Sequence, residues 1–191
     1  MLEVRSAGRR SVLAVPASDE RKIAKALASG ADEIVLDLED AVAPADKERA
    51  RDILASFSWG DAVDAVRGPL LAVRVNAPRT PWCHRDIEAV ATSVPASSIV
   101  LPKVESRADI GFAERLIDGV AADNSLRVQA LIETAAGLQR LDDITTSPER
   151  LSSLVIGYAD LGASLGRGVG FPALGWTVAQ ELLIIAARSA G

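Results

Sequence analysis

The sequence predicts an α/β fold built on a parallel β-sheet, and two features of the chain support this prediction. Short apolar runs rich in β-branched residues alternate with longer segments in which apolar residues recur at helical spacing. Most of the apolar runs lack regular alternation with polar residues, so we expect helices to cover both faces of the sheet. Repeated strand–helix units form either a (β/α)8 barrel of the TIM type or an open doubly wound sheet, and both architectures fit this pattern.

Six apolar runs predict the strands of this sheet. Each is short and is followed by polar residues, proline or glycine, which are typical of a strand end. The runs are SVLAVP from Ser11, EIVLDL from Glu33, LLAVRV from Leu70, SIVLP from Ser98, RVQALIE from Arg127 and LSSLVIG from Leu151.

Segments of helical period lie between and after these runs. In SDERKIAKALASG, Ser18 or Asp19 is the expected N-cap and Gly30 the C-terminal stop. In PADKERARDILASF, the helix is expected to start after Pro44, with Asp46 in its first turn. The other predicted helices are HRDIEAVATSV from His84, SRADIGFAERLIDGVAA from Ser106, TAAGLQRLDDI from Thr134 and TVAQELLIIAARSAG from Thr177.

The length of the chain, 191 residues, indicates a single domain over residues 1–191 with a sizeable core. A closed barrel of eight units usually takes about 250 residues. Because only six strands and six helices are predicted, we expect a barrel truncated after its sixth β/α unit, without strands seven and eight and without the segment that follows them.

Composition excludes several classes of function. The net charge of −5 argues against general nucleic-acid binding, although local basic sites for an anionic ligand stay possible. The longest apolar run, ELLIIAA, is too short to span a membrane. Cys83 is the single cysteine and no signal-peptide pattern is present, so a cytoplasmic protein without an intrachain disulfide is expected. His84 is the single histidine, which nearly excludes a zinc site of Cys and His ligands.

Charged residues of both signs follow nearly every predicted strand. Ligands of β/α folds bind at the carboxyl ends of the strands. Any one such residue is typical of a solvated loop or a helix cap, but their joint occurrence indicates a functional site. Arg74 and Lys103 also lie inside apolar runs, where an unpaired cation is costly. In chain order the strand ends carry Ser18; Asp37, Glu39 and Asp40; Arg74 and Asn76; Lys103 and Glu105; Glu133 and Thr134; Tyr158 and Asp160.

The carboxylates at these strand ends indicate a hard cation. Carboxylates on neighbouring strand ends, without His or Cys, suit Mg²⁺, and Mn²⁺ fits the same ligands. A hydrated divalent ion together with Arg74 would supply the positive charge that faces Glu39 and Asp40. An arginine beside such a metal is shaped for bidentate binding of a carboxylate, so the pair would hold a 2-oxo acid.

Several segments together resemble a known family. RRSVLAVPASDERKIAKAL, ADEIVLDLEDAVAPADKERAR, VRVNAPRTPW, SIVLPKVES, ALIETAAGL and LVIGYADLGASLG occur in the family's order and approximate spacing. They resemble the citrate lyase β-subunit-like (CitE-like) proteins of the HpcH/HpaI aldolase/citrate lyase superfamily, over nearly the whole chain. The resemblance implies a TIM barrel of the phosphoenolpyruvate/pyruvate type.

The resemblance also implies a function and a set of site residues. It implies a Mg²⁺-dependent carbon–carbon lyase that cleaves citryl-, malyl- or citramalyl-CoA type esters into a 2-oxo acid and a short acyl-CoA, in a homo-oligomer, either trimer or hexamer. By position, the implied metal ligands are Glu133 and Asp160; the catalytic residues Arg74, Glu39 and Asp40; the substrate contacts Arg74, Lys103 and Ala159; and the contacts to CoA phosphates Arg21, Lys22 and Lys25.

Two alternatives stay open at this point. One is a class II aldolase that acts on free 2-oxo acids without CoA. Related aldolases use a histidine after strand two, and the loop LEDAVAPA has none, which disfavours that branch. The other is a subunit that works only within a larger lyase complex, because the family's C-terminal segment often gives an acidic residue to a neighbouring subunit.

Overall fold

A computed structural model describes residues 9–60, 68–120, 125–146, 149–168 and 170–191. Six parallel strands form one sheet in this part of the chain. All six predicted strands are confirmed, and each agrees with its prediction to one residue at either end. The strands are β1 (Val12–Pro16), β2 (Glu33–Asp37), β3 (Leu70–Arg74), β4 (Ser98–Leu101), β5 (Arg127–Ile132) and β6 (Leu151–Ile156).

The order of the strands decides between the two predicted architectures. Neighbours in the sequence are neighbours in the sheet throughout, from β1 to β6. A doubly wound sheet reverses its strand order at a switch point, whereas a barrel proceeds in one direction. The structure therefore confirms the barrel type, and in the described residues β1 and β6 lie at the two edges of the sheet.

Helices follow the strands, as predicted. They are α1 (Glu20–Leu27), α2 (Lys47–Ser56), α3 (Cys83–Ser93), α4 (Arg107–Val120), α5 (Ala135–Gln139), α6 (Leu141–Thr145), α7 (Tyr158–Ser164) and α8 (Thr177–Ser189). The predicted helix from Thr134 is divided, because Arg140 leaves helical geometry between α5 and α6. Helix α7 was not predicted, since it is short and directly follows β6. Residues 121–122 of the helix predicted from Ser106 lie outside the described residues.

Helix α1 is capped in one of the two predicted ways. The Asp19 side chain accepts hydrogen bonds from the backbone N–H groups of Arg21 and Lys22, both at 3.1 Å. Asp19, and not Ser18, is thus the N-cap. Gly30 follows the helix with a φ of 77°, a conformation that favours glycine.

In the described residues, no helix is both long and apolar enough to cross a membrane.

Strand β2 shows how the sheet places charge at one end. Alternate side chains of a strand point to opposite faces, so Val35 shares a face with Asp37, while Ile34 and Leu36 share the other. Ile34 and Leu36 belong to the large core cluster with residues of the helices. Val35 belongs to a small inner cluster, whose other buried members are Ala72, Val100 and Leu131. Asp37 therefore lies above an apolar layer, at the carboxyl end of the strands.

A candidate active site at the carboxyl ends of the strands

Asp37 and Arg74 form a two-point ion pair across β2 and β3. Arg74 Nε donates to Asp37 Oδ1 at 2.8 Å, and Arg74 Nη2 donates to Asp37 Oδ2 at 2.5 Å. Asp37 also accepts from the backbone N–H groups of Glu39 and Ala41, at 2.7 and 3.1 Å. Burial tends to lower the pKa of Arg74, but hydrogen bonds and charge from Asp37 outweigh it and hold that pKa above its usual range.

Glu39 and Asp40 lie around the outer edge of the Arg74 guanidinium. Arg74 Nη1 lies 3.3 Å from Glu39 Oε2 and 3.9 Å from Asp40 Oδ2. Glu39 is buried, and its Oε2 has no hydrogen-bond partner, although it lies 3.3 Å from Arg74 Nη1. Burial raises the pKa of Glu39, against the opposing effects of Lys103 and Arg74. The side chain of Asp40, in contrast, is 67% exposed.

Lys103 connects the ends of four strands. Its Nζ lies 2.9 Å from Glu39 Oε1, 3.1 Å from Asp160 Oδ2 and 3.7 Å from Glu133 Oε1. Its backbone N–H donates to Glu133 Oε1 at 3.0 Å. Burial alone would lower the pKa of Lys103, but the hydrogen bond and charge of Glu39 raise it above its usual range. One cation thus gathers three carboxylates that the sequence places far apart.

Glu133 occupies a closely fitted position beside Gly157. A β-carbon added to Gly157 would lie 2.7 Å from Glu133 Oε2 and 2.8 Å from Glu133 Cβ, so the closeness of this carboxylate requires glycine. Burial, followed by the nearby charges of Glu39 and Asp160, raises the pKa of Glu133 to about 7 despite the opposing charge of Lys103. The surroundings of Glu133 therefore disfavour its ionised form.

The donor set fits a divalent ion of the magnesium type. The five carboxylates of the rim cluster, which we define as Asp37, Glu39, Asp40, Glu133 and Asp160, face two cations, Arg74 and Lys103. A buried carboxylate oxygen without a hydrogen bond is another sign of missing positive charge. No three acidic, Cys or His side chains are grouped as metal ligands in the described ranges. Two carboxylates completed by water and substrate oxygens are a usual arrangement for Mg²⁺.

A buried hydrogen-bond network supports the segment from Glu39 to Ala41, which we call the acidic loop. Lys47 Nζ donates to the backbone carbonyls of Leu38 and Glu39, at 2.7 and 2.8 Å. Asn76 Nδ2 donates to the carbonyl of Leu38 at 3.0 Å and to Asp86 Oδ2 at 2.6 Å. Desolvation lowers the pKa of Lys47. These bonds fix the peptide planes from which Glu39 and Asp40 project.

A second charged region lies beside the rim, where α1 begins. A cleft of about 520 Å³ is lined by the basic residues Arg21, Lys22 and Arg49, together with the acidic residues Asp19 and Glu20. Lys25 is absent from its lining residues. Lys22 Nζ lies 3.8 Å from Asp19 Oδ2, so its charge is only weakly paired.

The structure brings together most of the residues singled out from the sequence. Glu39, Asp40, Arg74, Lys103, Glu133 and Asp160 form one constellation. Ala159 precedes Asp160 in the first turn of α7, with an exposed side chain. Sequence reasoning missed the buried amine of Lys47, the close approach of Gly157 and the place of Arg49 in the cleft. Of these three features, only Lys47 had a signal in the sequence, namely its place downstream of the acidic residues in LEDAVAPADK.

Comparisons with known proteins agree with this geometry. The chain is 37% identical over 183 residues to a (3S)-malyl-CoA thioesterase of Cereibacter sphaeroides, covering 95% of the chain and 60% of that protein. It is 33% identical over 168 residues to an L-malyl-CoA/beta-methylmalyl-CoA lyase of the same species, covering 81% of the chain and 51% of the relative. The chain thus spans about 60% or less of the length of these relatives.

Solved structures of citrate lyase β-subunit proteins are also similar to this chain. CitE of Mycobacterium tuberculosis, in complex with magnesium, acetoacetate and coenzyme A, superposes with a TM-score of 0.75 at 31% identity, over 96% of this chain and 64% of that one. The citrate lyase β subunit of the same organism, complexed with oxaloacetate and magnesium, also gives 0.75 and 31%, over 96% and 77% of the two chains. Residues 10–191 match the family model of the HpcH/HpaI aldolase/citrate lyase proteins. The chain belongs to the HpcH/HpaI aldolase/citrate lyase family.

Proposed function

We propose that this chain carries the catalytic rim of a Mg²⁺-dependent carbon–carbon lyase. The substrate would be a hydroxyacyl-CoA ester of the malyl, citramalyl or citryl type, cleaved to a 2-oxo acid and a shorter acyl-CoA. The observation that carries the proposal is the rim cluster, in which Arg74 and Lys103 join carboxylates from the ends of β2 to β6. The named activities of the relatives support the same class of substrate.

Glu133 and Asp160 are the residues we propose as ligands of Mg²⁺, or of Mn²⁺. Both lie within 4 Å of the same nitrogen, Lys103 Nζ, so they face a common position. The raised pKa of Glu133 supports the assignment, because a bound cation would offset the burial and the repulsion that raise it. When bound, the metal would act as a Lewis acid that polarises the oxygens of the substrate.

Arg74 is the residue we propose for recognition of the carboxylate of the substrate. Asp37 takes two of its N–H groups and fixes the plane of the guanidinium. The remaining N–H groups, at Nη1 and Nη2, are left to meet a planar anion at the rim. A substrate carboxylate would replace the weak contacts that Nη1 makes with Glu39 and Asp40, at 3.3 and 3.9 Å.

The acidic pair Glu39 and Asp40 is the proposed source of the base. A carboxylate takes the proton of the substrate hydroxyl, and the C–O bond becomes a carbonyl as the adjacent carbon–carbon bond breaks. The electron pair of that bond moves to the thioester fragment as an enolate, which then gains a proton. Asp40 is the better placed of the two, because it is exposed whereas Glu39 is bonded to Lys103.

The cleft at α1 is the region we propose for CoA phosphates. Arg21 and Lys22 lie in the first turn of α1 and Arg49 adds a third cation, so three positive charges face the acidic residues Asp19 and Glu20 in this lining. The CitE structure with coenzyme A supports a CoA site in this family. The absence of Lys25 from the lining makes it the weakest member of the expected set.

Thioester hydrolysis is a second candidate activity, because the relatives at 36 to 37% identity are named malyl-CoA thioesterases. Both reactions start from the same ester, but they break different bonds. A lyase acting on malyl-CoA releases glyoxylate and acetyl-CoA, whereas a thioesterase releases malate and free CoA thiol. In the part of the chain that the structure describes, no feature favours a CoA-independent aldolase over these two.

The experiment that tests the proposal measures both products in parallel. The chain with Mg²⁺ is incubated with malyl-, citramalyl- and citryl-CoA, with 2-oxo acid trapped by phenylhydrazine and free thiol detected with a disulfide reagent. We expect 2-oxo acid from at least one ester, lost in the Glu133→Ala, Asp160→Ala double variant. Thiol without 2-oxo acid would favour the thioesterase, and no product from any ester would favour a subunit that needs a larger complex.

Three further expectations stay predictions. A single domain over residues 1–191 is proposed from the length of the chain, and a homo-oligomer, trimer or hexamer, is proposed on the resemblance alone. We also propose a cytoplasmic location, since Cys83 is buried as a free thiol and no disulfide stabilises the chain.

A further inference from the structure

Lys103 has a backbone conformation that its neighbours must hold in place. Its φ of 53° lies in the left-handed region, and Lys103 is the one residue other than glycine in the described ranges with a positive φ. Such a conformation is uncommon for a lysine and persists where surrounding contacts fix it. The contacts are the backbone N–H bond to Glu133 and the Nζ contacts to Glu39 and Asp160.

The Nζ atom lies where the carboxylates of the rim cluster converge. It contacts Glu39, Asp160 and Glu133 at 2.9, 3.1 and 3.7 Å. Asp160 and Glu133 are the two residues proposed above as metal ligands. An ammonium and a divalent ion that use the same carboxylate oxygens repel each other at this distance.

We propose that Lys103 is an internal counter-ion, which competes with the divalent metal for the carboxylates of the rim cluster and thereby sets the metal affinity of the site. The inference rests on the proposed function, since it takes Glu133 and Asp160 as the ligands. Lys103 balances the carboxylates when no metal is bound, and its Nζ leaves Asp160 and Glu133 when the metal enters. Its side chain is about one-third exposed, so it has room to move toward solvent.

Binding of Mn²⁺, followed by electron paramagnetic resonance, tests this role independently of turnover. Lys103→Met removes the charge but keeps a linear side chain and the same backbone strain. Lys103→Arg keeps the charge, and Arg85→Met removes one positive charge from the exposed face of α3. We expect Lys103→Met to bind Mn²⁺ about tenfold more tightly than wild type. Lys103→Arg and Arg85→Met should stay within about threefold of wild type.

Thermal unfolding gives a second readout. In EDTA, Lys103→Met should unfold at a lower temperature than wild type, because the carboxylates lose their counter-ion. Saturating Mn²⁺ should abolish this difference in unfolding temperature between Lys103→Met and wild type. If Lys103→Met does not fold in EDTA, Lys103→Gln replaces it, with the same expectations for Mn²⁺ affinity.

The outcomes separate this inference from the proposed function. Unchanged or weaker Mn²⁺ binding by folded Lys103→Met overturns the competition, even if the wild type cleaves a CoA ester. Tighter binding supports it, even if no ester is cleaved. Absence of Mn²⁺ binding by wild type and by the uncharged Lys103 variant overturns the inference and the metal assignment together.

Discussion

Asp37 and Arg74 are direct neighbours in the register of β2 and β3, and their side chains meet in a two-point ion pair. The parallel register places both residues at the same height, at the carboxyl ends of their strands. Asp37 is 4% exposed, so the guanidinium is held by a carboxylate that water barely reaches. Glu39 and Asp40 lie around the guanidinium of this pair.

Replacing Asp37 with Asn should destabilise the protein by about 2–4 kcal/mol, because a partly buried guanidinium loses its charged partner. Urea unfolding monitored by circular dichroism measures this change. Asp52→Asn, at an exposed position of α2, removes the same charge and should change stability by less than about 0.5 kcal/mol. Equal losses in the two variants would mean that the ion pair contributes nothing beyond net charge.

Gly157→Ala should weaken divalent-ion binding by about tenfold or more, because the new methyl group would collide with the Glu133 side chain. Calorimetric titration with Mn²⁺ measures the affinity. Gly119→Ala is the matched control: a β-carbon there meets nothing within 4 Å, and alanine suits its helix. If Gly157→Ala binds metal as wild type does, Glu133 is not fixed by this contact.

Lys47→Met should cost about 2–3 kcal/mol of stability, since two buried carbonyls lose a charged donor: that of Glu39 keeps only the N–H of Val42, and that of Leu38 keeps only Asn76. The acidic loop should also become less ordered, which amide hydrogen exchange at Glu39 to Ala41 would detect as faster exchange. Lys25→Met, on the exposed face of α1, controls for the loss of a lysine. Slow exchange in Lys47→Met would show that the loop holds its shape without the amine.

The Cys83 thiol should be inert in the folded protein. It is 1% exposed, and burial, together with the charges of Asp86 and Asp109, raises its pKa to about 12. Because the thiolate is the reactive form, a disulfide reagent at pH 8 should modify it only as fast as the chain unfolds. Protein in urea, where the thiol is exposed, should react at once. Fast, complete modification of the native protein would show that Cys83 is accessible.

The fold and the composition of the rim could be predicted because they depend on local patterns. Apolar runs mark the strands, and the rule that ligands bind at strand ends collects Glu39, Arg74, Glu133 and Asp160 at one rim. The pairings within the rim depend on register and on the reach of long side chains, which no sequence period reveals. Arg74 was expected to face a metal and a substrate, yet its main partner is Asp37.

The contribution of Lys103 and Gly157 was hidden for a related reason. Lys103 was recognised as a cation within an apolar run, but its left-handed backbone and its three carboxylate contacts arise only after β2, β4, β5 and α7 have packed. Gly157 reads as an ordinary strand end. Its requirement for a hydrogen in place of a side chain follows from Glu133, which lies on the neighbouring strand end.

Glu133 should make the stability of the metal-free protein depend on pH. Its pKa rises from 4.5 to about 7 on folding, so the folded state holds a proton that the unfolded state releases between these values. The contribution of Glu133 to stability therefore falls as pH rises through this window and is constant above it. In EDTA, wild type should lose about 2 kcal/mol between pH 5 and 8 relative to Glu133→Gln, which does not titrate. Urea unfolding at both pH values measures the difference, with Glu88→Gln, exposed on α3, as the control. A gap between wild type and Glu133→Gln that stays the same at pH 5 and 8 would show that Glu133 titrates alike in the folded and unfolded chains.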